Sequence, residues 1–383
     1  MTQLAKLRFV ASTAVERPAL GRWYLRNRLR VATLGFERRS LAGFSRFARG
    51  VTLKPTMACN LRCKMCRYAA NGSVSACPTE AMPLDAWMAL ADDLGQFRPY
   101  ISITGGEPLL YPHAVDLIHH IKRRRMRCTL TTNGTLLARQ AAALMEAPPD
   151  ILVVSLDGPP EVHNQVRGSA TAYERAVEGI AAVRELKVKL RRKEPALVIN
   201  CTVTAHSYQH VAAVLDIAQG IGVDVLNYQH QWSLTDRMIA EHNAMYGHCH
   251  GLLGEDLGAG DPPPVDPRQV LDTVRGIRRR AASLDGRPMV TFHPDLSDAD
   301  IVRWYSDPHT WVRRRRAACA WMNTNVLPNG DVEPCPGLVC GNITRQRFSD
   351  IWNGPAYRAH RKRLAEAGEF PICVRCCSYF RRD

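Results

Sequence analysis

The sequence predicts an α/β protein: a partial barrel of six βα units followed by a small cysteine-rich domain at the C-terminus. From residue 51 onward, short runs rich in β-branched residues alternate with longer helical patterns, which is typical of a parallel sheet. No GxGxxG motif follows the first strand, and six successive units without one favour a barrel over a dinucleotide-binding sheet. Six cysteines between residues 319 and 377 lie in turn-rich sequence that has too little apolar material for a core of its own.

The strands and helices of the six units are placed by their hydrophobic periodicity. The strand patterns cover residues 51–55, 100–104, 127–132, 151–155, 197–203 and 223–228. The helical patterns between them cover roughly residues 83–96, 112–125, 136–146, 172–190 and 208–219. In a barrel of this kind the functional residues gather at the C-terminal ends of the strands. We therefore expect the chemistry in the loops that follow the strands.

The alternation stops after residue 228, which predicts a boundary nearby. Residues 254–268 (GEDLGAGDPPPVDPR) combine Gly, Pro and Asp as a loop or linker does. The tail contains one helical pattern, at about residues 355–367, and a metal cluster would supply the constraint that its small core lacks. The predicted organisation is a basic N-terminal extension (1–50), a core (51–245), a linker or insert (246–316) and a cysteine-rich domain (317–383).

Positive charge is concentrated at the N-terminus. The formal net charge is +15, and residues 1–50 hold eleven Lys or Arg and two Glu. Segment 18–32 (PALGRWYLRNRLRVA) places apolar residues at helical spacing with four arginines between them, as in a basic amphipathic helix. Two interpretations stay open: the apolar stripe packs on the protein itself, or the helix makes a peripheral contact with an anionic membrane or an acidic partner.

Other classes of protein are disfavoured by composition. No stretch approaches the roughly 20 apolar residues of a membrane-spanning helix. The apolar run 9–15 is followed by Glu16, Arg17 and Pro18 rather than by a small-residue cleavage site, so we expect no secretory signal. The arginine runs 278–280 and 313–316 lack the interleaved aromatic residues of nucleic-acid-binding surfaces. We therefore predict a cytoplasmic protein that binds no nucleic acid.

Thirteen cysteines indicate metal binding by reduced thiols. Their spacing is too uneven, and the chain too long, for a secreted disulfide framework. Cys128 and Cys201 lie in apolar strand patterns, where a buried thiol behaves as a small hydrophobic side chain. The HCH stretch at residues 248–250 has the chemistry of metal ligands, but its surroundings predict a solvated loop.

Three cysteines follow the first predicted strand in the segment PTMACNLRCKMC. Cys59, Cys63 and Cys66 have the CxxxCxxC spacing that wraps three corners of a [4Fe–4S] cube and leaves one iron without a protein ligand. An iron of that kind can bind a cofactor. A structural zinc ion usually has four ligands, and the nearest fourth candidate, Cys77, is eleven residues further on in a polar loop.

This loop resembles the signature of the radical S-adenosylmethionine (SAM) superfamily, with Met65 as the apolar residue before the last cysteine. Gly105, Gly106 and Glu107 (TGGEP) follow the second strand and resemble the GGE motif of that family. The resemblance implies that these glycines allow a close approach to SAM and that the Glu107 carboxylate accepts from its amino group. Asn133, in TTNG after the third strand, matches another common pattern of the family.

Further matches follow the later strands. Ser155 and Asp157 (VVSLDG) follow the fourth strand, where similarity implies contacts to the ribose of SAM. His163 and Arg167 resemble the HxxxRG stretch of the family, in which the arginine pairs with the SAM carboxylate. Asn200 and Thr202 of the fifth strand are weaker candidates for cofactor contact. The resemblance implies reductive cleavage of SAM to a 5′-deoxyadenosyl radical that abstracts a substrate hydrogen.

The tail resembles the SPASM/Twitch extension, which carries auxiliary iron–sulfur clusters in many radical SAM enzymes. The likeness rests on the first tail cysteine, Gly330, the late CxxC and the stretch around Trp352 and Asn353. It implies one auxiliary [4Fe–4S] cluster on four thiols, with two further thiols as substitutes; these are Cys319, Cys335, Cys373 and Cys376, then Cys340 and Cys377. The tail lacks the CxxCxxxxxCxxxC run of the two-cluster pattern, and a zinc ribbon is the structural alternative.

The substrate is not named by any motif. A second cluster favours a net oxidation or a bond-forming reaction, on a peptide or natural product, or on a sugar or lipid head group. Residues 228–232 (YQHQW) follow the sixth strand and are candidates for a substrate pocket or for an ordinary loop. We expect an electron donor such as a flavodoxin or a ferredoxin as a partner. The opposing hypothesis, a basic zinc-binding module without catalysis, leaves GGEP and SLDG unexplained.

Overall fold

The structure is a computed structural model that describes residues 34–38, 42–70, 81–252, 260, 262–284, 286–314 and 316–380. The predicted amphipathic helix at 18–32 and Cys77 lie outside these residues. In the described part of the chain, no helix is both long enough and apolar enough to cross a membrane.

One sheet of nine strands organises the molecule. Seven of its strands are parallel neighbours in sequence order: β1 (Gly50–Leu53), β2 (Tyr100–Ile103), β3 (Arg127–Thr132), β4 (Ile151–Ser155), β5 (Ala196–Val203), β6 (Val225–His230) and β7 (Met289–His293). The strand order is β7-β6-β5-β4-β3-β2-β1-β8-β9, with two strands of the tail beside β1. The two edge strands do not pair with each other, so the barrel is partial, as predicted.

Helices connect the strands. Their bounds are α1 (Arg67–Ala70), α2 (Leu84–Leu94), α3 (Ala114–Arg123), α4 (Leu137–Leu144), α5 (Pro160–Arg167), α6 (Ala172–Lys189), α7 (Ala213–Ile221), α8 (Asp236–His250), α9 (Pro267–Ala282), α10 (Asp298–Ser306), α11 (Phe348–Trp352), α12 (Pro355–Ala367) and α13 (Cys377–Phe380). The six predicted strands and the helical patterns that follow the first five of them are confirmed, with shifts of a few residues at their ends.

The two faces of the sheet differ in polarity. Alternate residues of β5 are buried against the helices, among them Leu197, Ile199 and Cys201. The residues between them are only half-buried and include Asn200 and Thr202. Because side chains of a strand alternate between faces, one face packs in the main core and the other presents polar groups. The prediction that Cys128 and Cys201 are buried apolar thiols is confirmed, since both are fully buried.

The predicted end of the βα alternation after residue 228 is wrong. Helix α9 leads into β7, which pairs in parallel with β6, and Thr291 lies opposite Asn227. The sequence pattern hides this unit for two reasons. The extra helix α8 and the proline-rich segment 262–267 separate it from β6, and all five residues of β7 are only half-buried, so no buried alternation marks the strand.

The tail shares the main core. Strand β8 (Asn323–Val326) pairs in parallel with β1 and forms an antiparallel hairpin with β9 (Val332–Glu333). Gly330 lies in the turn of that hairpin with a φ of +90°. Val326, Val332 and Trp352 belong to the same apolar cluster as the strands of the barrel. The apolar material that the tail lacks is thus supplied by the sheet.

The end of the predicted N-terminal extension also packs on the tail. Ser45 is fully buried, and its backbone N–H donates to Asn353 Oδ1 at 3.0 Å. The Ser45 carbonyl accepts from Trp352 Nε1 and from Asn353 Nδ2, both at 3.0 Å. Gly43 lies so close to helix α12 that a Cβ there would be 2.4 Å from the Arg358 carbonyl oxygen. Residues 42–50, which lead into β1, therefore hold the tail in contact with the sheet.

Candidate active site

The cysteine loop (residues 56–66) is held by the segment that follows β2. Gly106 N donates to the Thr56 carbonyl at 3.0 Å, and Glu107 N donates to the Ala58 carbonyl at 2.7 Å. A Cβ at Gly105 would lie 2.3 Å from the Thr56 oxygen, and one at Gly106 would lie 2.1 Å from the Ala58 oxygen. The two glycines are therefore required by the close approach of the cysteine loop backbone. The resemblance had explained them only by a close approach to SAM.

Glu107 lies beneath the loop with no exposed surface. One carboxylate oxygen accepts from Leu109 N at 3.1 Å and from Thr132 Oγ1 at 2.7 Å, and the other accepts from Asn133 N at 2.7 Å. Burial raises the pKa of this carboxyl, and the three donors oppose that rise. A carboxylate has about four acceptor positions, so one remains for a further donor.

Asn133 connects the end of β3 to the cysteine loop. Its Nδ2 donates to Asn60 Oδ1 at 2.9 Å and lies 3.9 Å from Cys59 Sγ. Its Oδ1 accepts from the backbone and hydroxyl of Thr135, and Asn60 Nδ2 donates to that hydroxyl at 2.8 Å. Asn60 was missed in the sequence, although its position between the first two cysteines of the loop was a signal.

Asp157 and Arg167 form a buried ion pair beside the loop. Arg167 Nη2 lies 2.6 Å from Asp157 Oδ2, and Arg167 Nη1 lies 3.8 Å from Cys63 Sγ. The other oxygen of Asp157 accepts from Thr202 N at 2.8 Å. His163 Nδ1 accepts from Asp157 N at 3.1 Å, and burial lowers the pKa of His163 to about 4. These predicted residues are thus brought together around Cys63.

The end of helix α5 also contacts the cysteine loop directly. Lys64 N donates to the Val166 carbonyl at 2.9 Å. Gly168 ends the helix in the left-handed region, and a Cβ there would be 2.7 Å from the Arg62 oxygen. Ser155 is half-buried at the end of β4, in register with Asn200 of β5. The predicted SAM-contacting residues therefore lie in the loops at one edge of the sheet, or at the strand ends beside them.

Two of the three thiols of the loop, Cys59 and Cys63, lie in surroundings that raise their pKa. Burial raises the pKa of Cys59 to about 11, with the charges of Glu107, Cys63 and Cys66 adding to the rise. The pKa of Cys63 is also raised by burial, against the lowering effect of Arg167. A bound iron ion would stabilise the thiolates, as cations do. Two donors, Arg167 and Asn133, already face the sulfurs.

A second group of thiols lies in the tail. Cys319, Cys335 and Cys373 are buried, and Cys376 is half-buried. The pKa of Cys335 is raised first by burial and then by the charges of Cys319, Cys373 and Cys376. In the part of the chain that the structure describes, no three His, Cys, Asp or Glu side chains are close enough to hold a single metal ion. The fit to a cube rests on the four thiols as a donor set.

The two substitute thiols differ in their surroundings. Cys377 acts on the pKa of both Cys319 and Cys376 and therefore borders the group. Burial raises the pKa of Cys340 to about 12, and the charges that oppose the rise are those of Arg361 and Arg363. The surroundings of Cys377 thus resemble those of the four thiols more than the surroundings of Cys340 do.

The candidate pocket residues after β6 separate into two sets. Tyr228 and His230 are buried on the helix side: the Tyr228 ring stacks on Phe292 at 5.2 Å, and His230 Nδ1 lies 2.6 Å from the Tyr305 hydroxyl. Neither of the two interpretations of this stretch, pocket or ordinary loop, fits these two residues, because both lie within β6 and alternation turns their side chains away from the polar face. Trp232 remains at the edge of the sheet.

Trp232 contacts the cysteine loop through a cation. The Arg67 guanidinium lies 4.4 Å from the centre of the Trp232 ring and 4.4 Å from that of Tyr68. Lys54 Nζ lies 3.4 Å from the Tyr68 hydroxyl. The end of β6 is thereby connected to the residue that follows Cys66, across the C-terminal edge of the sheet.

Two polar residues of the sheet, Asn227 and Thr291, were missed in the sequence. On the polar face, Asn227 Nδ2 donates to Asn200 Oδ1 at 2.6 Å, and the Thr291 hydroxyl donates to Asn227 Oδ1 at 2.9 Å.

The prediction of a solvated loop at 248–250 is wrong, because these residues end helix α8 and His250 is only 3% exposed. Helical spacing from Asp236 onward was the available signal for that helix.

A partial parallel barrel with a three-thiol loop after its first strand defines a cluster-dependent enzyme. Comparison with known families agrees: the radical SAM superfamily matches residues 53–203, and SPASM, an iron–sulfur cluster-binding domain, matches residues 319–377. The chain belongs to the radical SAM superfamily. It is therefore an enzyme of the class that uses a [4Fe–4S] cluster and SAM, with auxiliary iron–sulfur binding in its SPASM domain.

Similar proteins include a heme synthase and a pre-heme d1 synthase. An AdoMet-dependent heme synthase of Oleidesulfovibrio alaskensis is 30% identical over 334 residues, which cover 83% of this chain and 78% of that protein. A pre-heme d1 synthase of Dinoroseobacter shibae is 26% identical, covering 81% of this chain and 76% of that protein. The solved structure of Streptococcus suis SuiB bound to S-adenosylmethionine has a TM-score of 0.61 at 17% identity, over 92% of this chain and 78% of that one. That likeness shows the fold.

Proposed function

We propose that Cys59, Cys63 and Cys66 bind a [4Fe–4S] cluster whose open iron takes SAM, and that four tail thiols bind one auxiliary cluster. The proposed SAM contacts are Gly105, Gly106, Glu107, Asn133, Ser155, Asp157 and Arg167, and the proposed auxiliary ligands are Cys319, Cys335, Cys373 and Cys376. When bound, the cluster and SAM supply one-electron chemistry at a substrate carbon. The observation that carries the proposal is the convergence of Glu107, Asn133 and Arg167 on the cysteine loop.

Each side chain has a separate part in this proposal. Arg167 and Asn133 donate to the sulfurs of Cys63 and Cys59, which favours their thiolate forms. Glu107 keeps one acceptor position for the amino group of SAM. The buried Asp157 carboxylate holds Arg167 in place.

For the substrate we propose a carboxylate-bearing tetrapyrrole that undergoes a net oxidation. The relatives described above support this class, and the net charge of +15 favours an acidic ligand. Lys54 and Arg67 provide cationic groups at the edge of the sheet that holds the cysteine loop. The auxiliary site supports an oxidation, because a second cluster offers a place for the electron that the substrate loses.

Reductive cleavage of SAM tests the proposal. Anaerobically reconstituted protein should contain about eight iron atoms per chain and form 5′-deoxyadenosine from SAM with dithionite. Cys63→Ala should lose about half of this iron and all of the 5′-deoxyadenosine. Cys249→Ala, at a half-buried thiol outside both groups, is the matched control and should keep both.

Substrate classes are separated by product formation. Iron-coproporphyrin III, a ribosomal peptide pool and a sugar nucleotide are each incubated with SAM and reductant, and products are identified by mass spectrometry. We expect conversion of the porphyrin alone. Conversion of a peptide or a sugar would replace the tetrapyrrole proposal, while zinc without iron, or 5′-deoxyadenosine from Cys63→Ala, would refute the enzyme mechanism.

A further inference from the structure

A cavity of about 610 Å³ opens beside the C-terminal ends of β5 and β6. Thr204 and Ala205 follow β5 there, and Gln231 and Ser233 follow β6. These last two residues flank Trp232, which contacts Arg67 next to the cysteine loop. The volume lies within the usual range of about 300–1,000 Å³ for ligand cavities. The cavity therefore adjoins the edge of the sheet that carries the proposed SAM site.

Most of the cavity wall is rigid and apolar. Four prolines of the segment 262–267 line it, together with Val265 and Pro308. Trp304 completes this wall and is 5% exposed. Proline fixes one backbone dihedral and exposes a flat apolar ring, so the wall needs little ordering when a ligand binds. The segment predicted as a linker is thus the wall of a preformed cavity.

A buried cation lines the same cavity. The Arg375 guanidinium, 1% exposed, lies between two proposed cluster ligands in sequence and 4.5 Å from the centre of the Trp304 ring. This guanidinium donates four hydrogen bonds to backbone carbonyls, those of Thr310, Val374, Trp304 and Asp307. Among the described residues, none of these hydrogen bonds goes to a carboxylate. A ligand carboxylate near this charge would be stabilised.

One buried polar atom of a cavity-lining residue, His309 Nδ1, has no hydrogen-bond partner. Buried polar atoms in native proteins are nearly always hydrogen-bonded, so such an atom indicates a missing polar partner. A ligand with oxygen atoms at its edge supplies an acceptor for it.

We infer that this cavity binds the apolar ring of the substrate, with the prolines and Trp304 against the ring and His309 and Arg375 at its carboxylate edge. The inference rests on the proposed function for its choice of ligand. It adds the location of the substrate, and it assigns recognition of the substrate carboxylates to His309 and to Arg375 of the tail. The substrate would then lie beside the C-terminal ends of β5 and β6, next to Arg375 of the tail.

Fluorescence titration with iron-free coproporphyrin III tests the location in the reconstituted holoenzyme. Ser306 lines the cavity, and Ser306→Trp fills it; Ser283→Trp, at an exposed serine at the end of α9, is the matched control. We expect the Kd to rise about tenfold or more in Ser306→Trp and in His309→Phe, and to change less than about twofold in Ser283→Trp. Coproporphyrin tetramethyl ester, which lacks the carboxylates, should bind at least about tenfold more weakly than the free acid.

The outcomes separate the cavity from the proposed function. Unchanged affinity in Ser306→Trp, with the iron content and far-UV circular dichroism of the wild type, would overturn the cavity inference even if the wild type converts the porphyrin. Equal binding of acid and ester would overturn the role of the carboxylate edge. If the wild type cleaves SAM but binds no coproporphyrin III, the inference is wrong and the radical SAM mechanism stands.

Discussion

At the residue scale, the polar side chains around the cysteine loop are held chiefly by one another. Glu107 accepts from residues of two loops, Asp157 accepts from Thr202 N and pairs with Arg167, and Asn133 is bonded to Asn60. Buried polar groups are costly unless they are paired, so each of these residues depends on its partner. Their positions are therefore fixed before any cofactor binds, which is the preorganisation that a reactive site requires.

Glu107→Gln tests this dependence. The new amide NH₂ would face donors at Leu109, Thr132 or Asn133, leaving buried groups unpaired. We expect the free energy of unfolding to fall by about 2 kcal/mol or more, together with a loss of iron from the loop cluster. Denaturant unfolding and iron analysis measure both effects.

The matched control is Glu241→Gln. Glu241 pairs with Arg237 on the surface, where both side chains are about half exposed or more. Exposed pairs contribute at most about 1 kcal/mol, so stability should change little. Equal effects of the two substitutions would show that Glu107 does not organise the loop.

At the scale of elements, close backbone contacts place the loop relative to the sheet. The segment after β2 runs along residues 56–58, and the end of α5 contacts Arg62. In both places a glycine removes a side chain that would collide with a carbonyl oxygen. The GGE and HxxxRG stretches thus serve in assembly as well as in the proposed cofactor binding.

Gly106→Ala isolates the close approach. The added Cβ would lie 2.1 Å from the Ala58 oxygen and 2.4 Å from the Met57 oxygen, so backbone must move. We expect the iron content to fall from about eight to about four per chain, because the loop cluster is lost and the auxiliary cluster remains. Iron and sulfide analysis with the electron paramagnetic resonance spectrum reports which cluster is missing.

Gly220→Ala is the control for this substitution. Gly220 lies within helix α7, and nothing is within 4 Å of a Cβ at that position. Alanine should therefore stabilise the protein by about 0.5–1 kcal/mol and leave the iron content unchanged. A normal loop cluster in Gly106→Ala would contradict the assembly role of this glycine.

At the scale of the whole molecule, the tail is joined to the barrel by a shared core and by a group of buried histidines. His242 and His250 of α8 have ring centres 4.6 Å apart, and His360 of α12 lies 6.0 Å from His250. Neither ring nitrogen of His360 has a hydrogen-bond partner. Burial lowers the pKa of His242 to about 4 and that of His360 to about 3, and it lowers the pKa of His250 as well.

Stability should therefore decrease in mild acid. These histidines are neutral when folded and have an ordinary pKa of about 6.5 when unfolded, so protons bind the unfolded chain preferentially below pH 6.5. The stability that each contributes is present above this pH and is lost as pH falls toward the folded pKa of about 3 or 4. At pH 5.5, His242 and His360 should each cost about 1.4 kcal/mol relative to pH 7.5.

His360→Phe measures how much of this loss of stability in acid comes from one histidine. The ring is surrounded by Phe370 and His250, and phenylalanine removes two unpaired nitrogens. Between pH 7.5 and 5.5 the variant should lose about 1.4 kcal/mol less than the wild type in denaturant unfolding. His113→Phe, at an exposed histidine, is the control, and an identical pH dependence of all three proteins would refute the assignment.

By itself the sequence determined the partial barrel, the six strands, the helix at 355–367 and the cysteine groups, because periodicity and motif spacing are local properties of the chain. Only the tertiary structure decided that β7 continues the sheet, that β8 joins β1, and that Tyr228 and His230 face the helices. It also decided that Gly106 contacts the loop backbone and that Arg375 lines the cavity. These features depend on contacts between residues far apart in sequence, and no local pattern encodes which distant segment fills a given space.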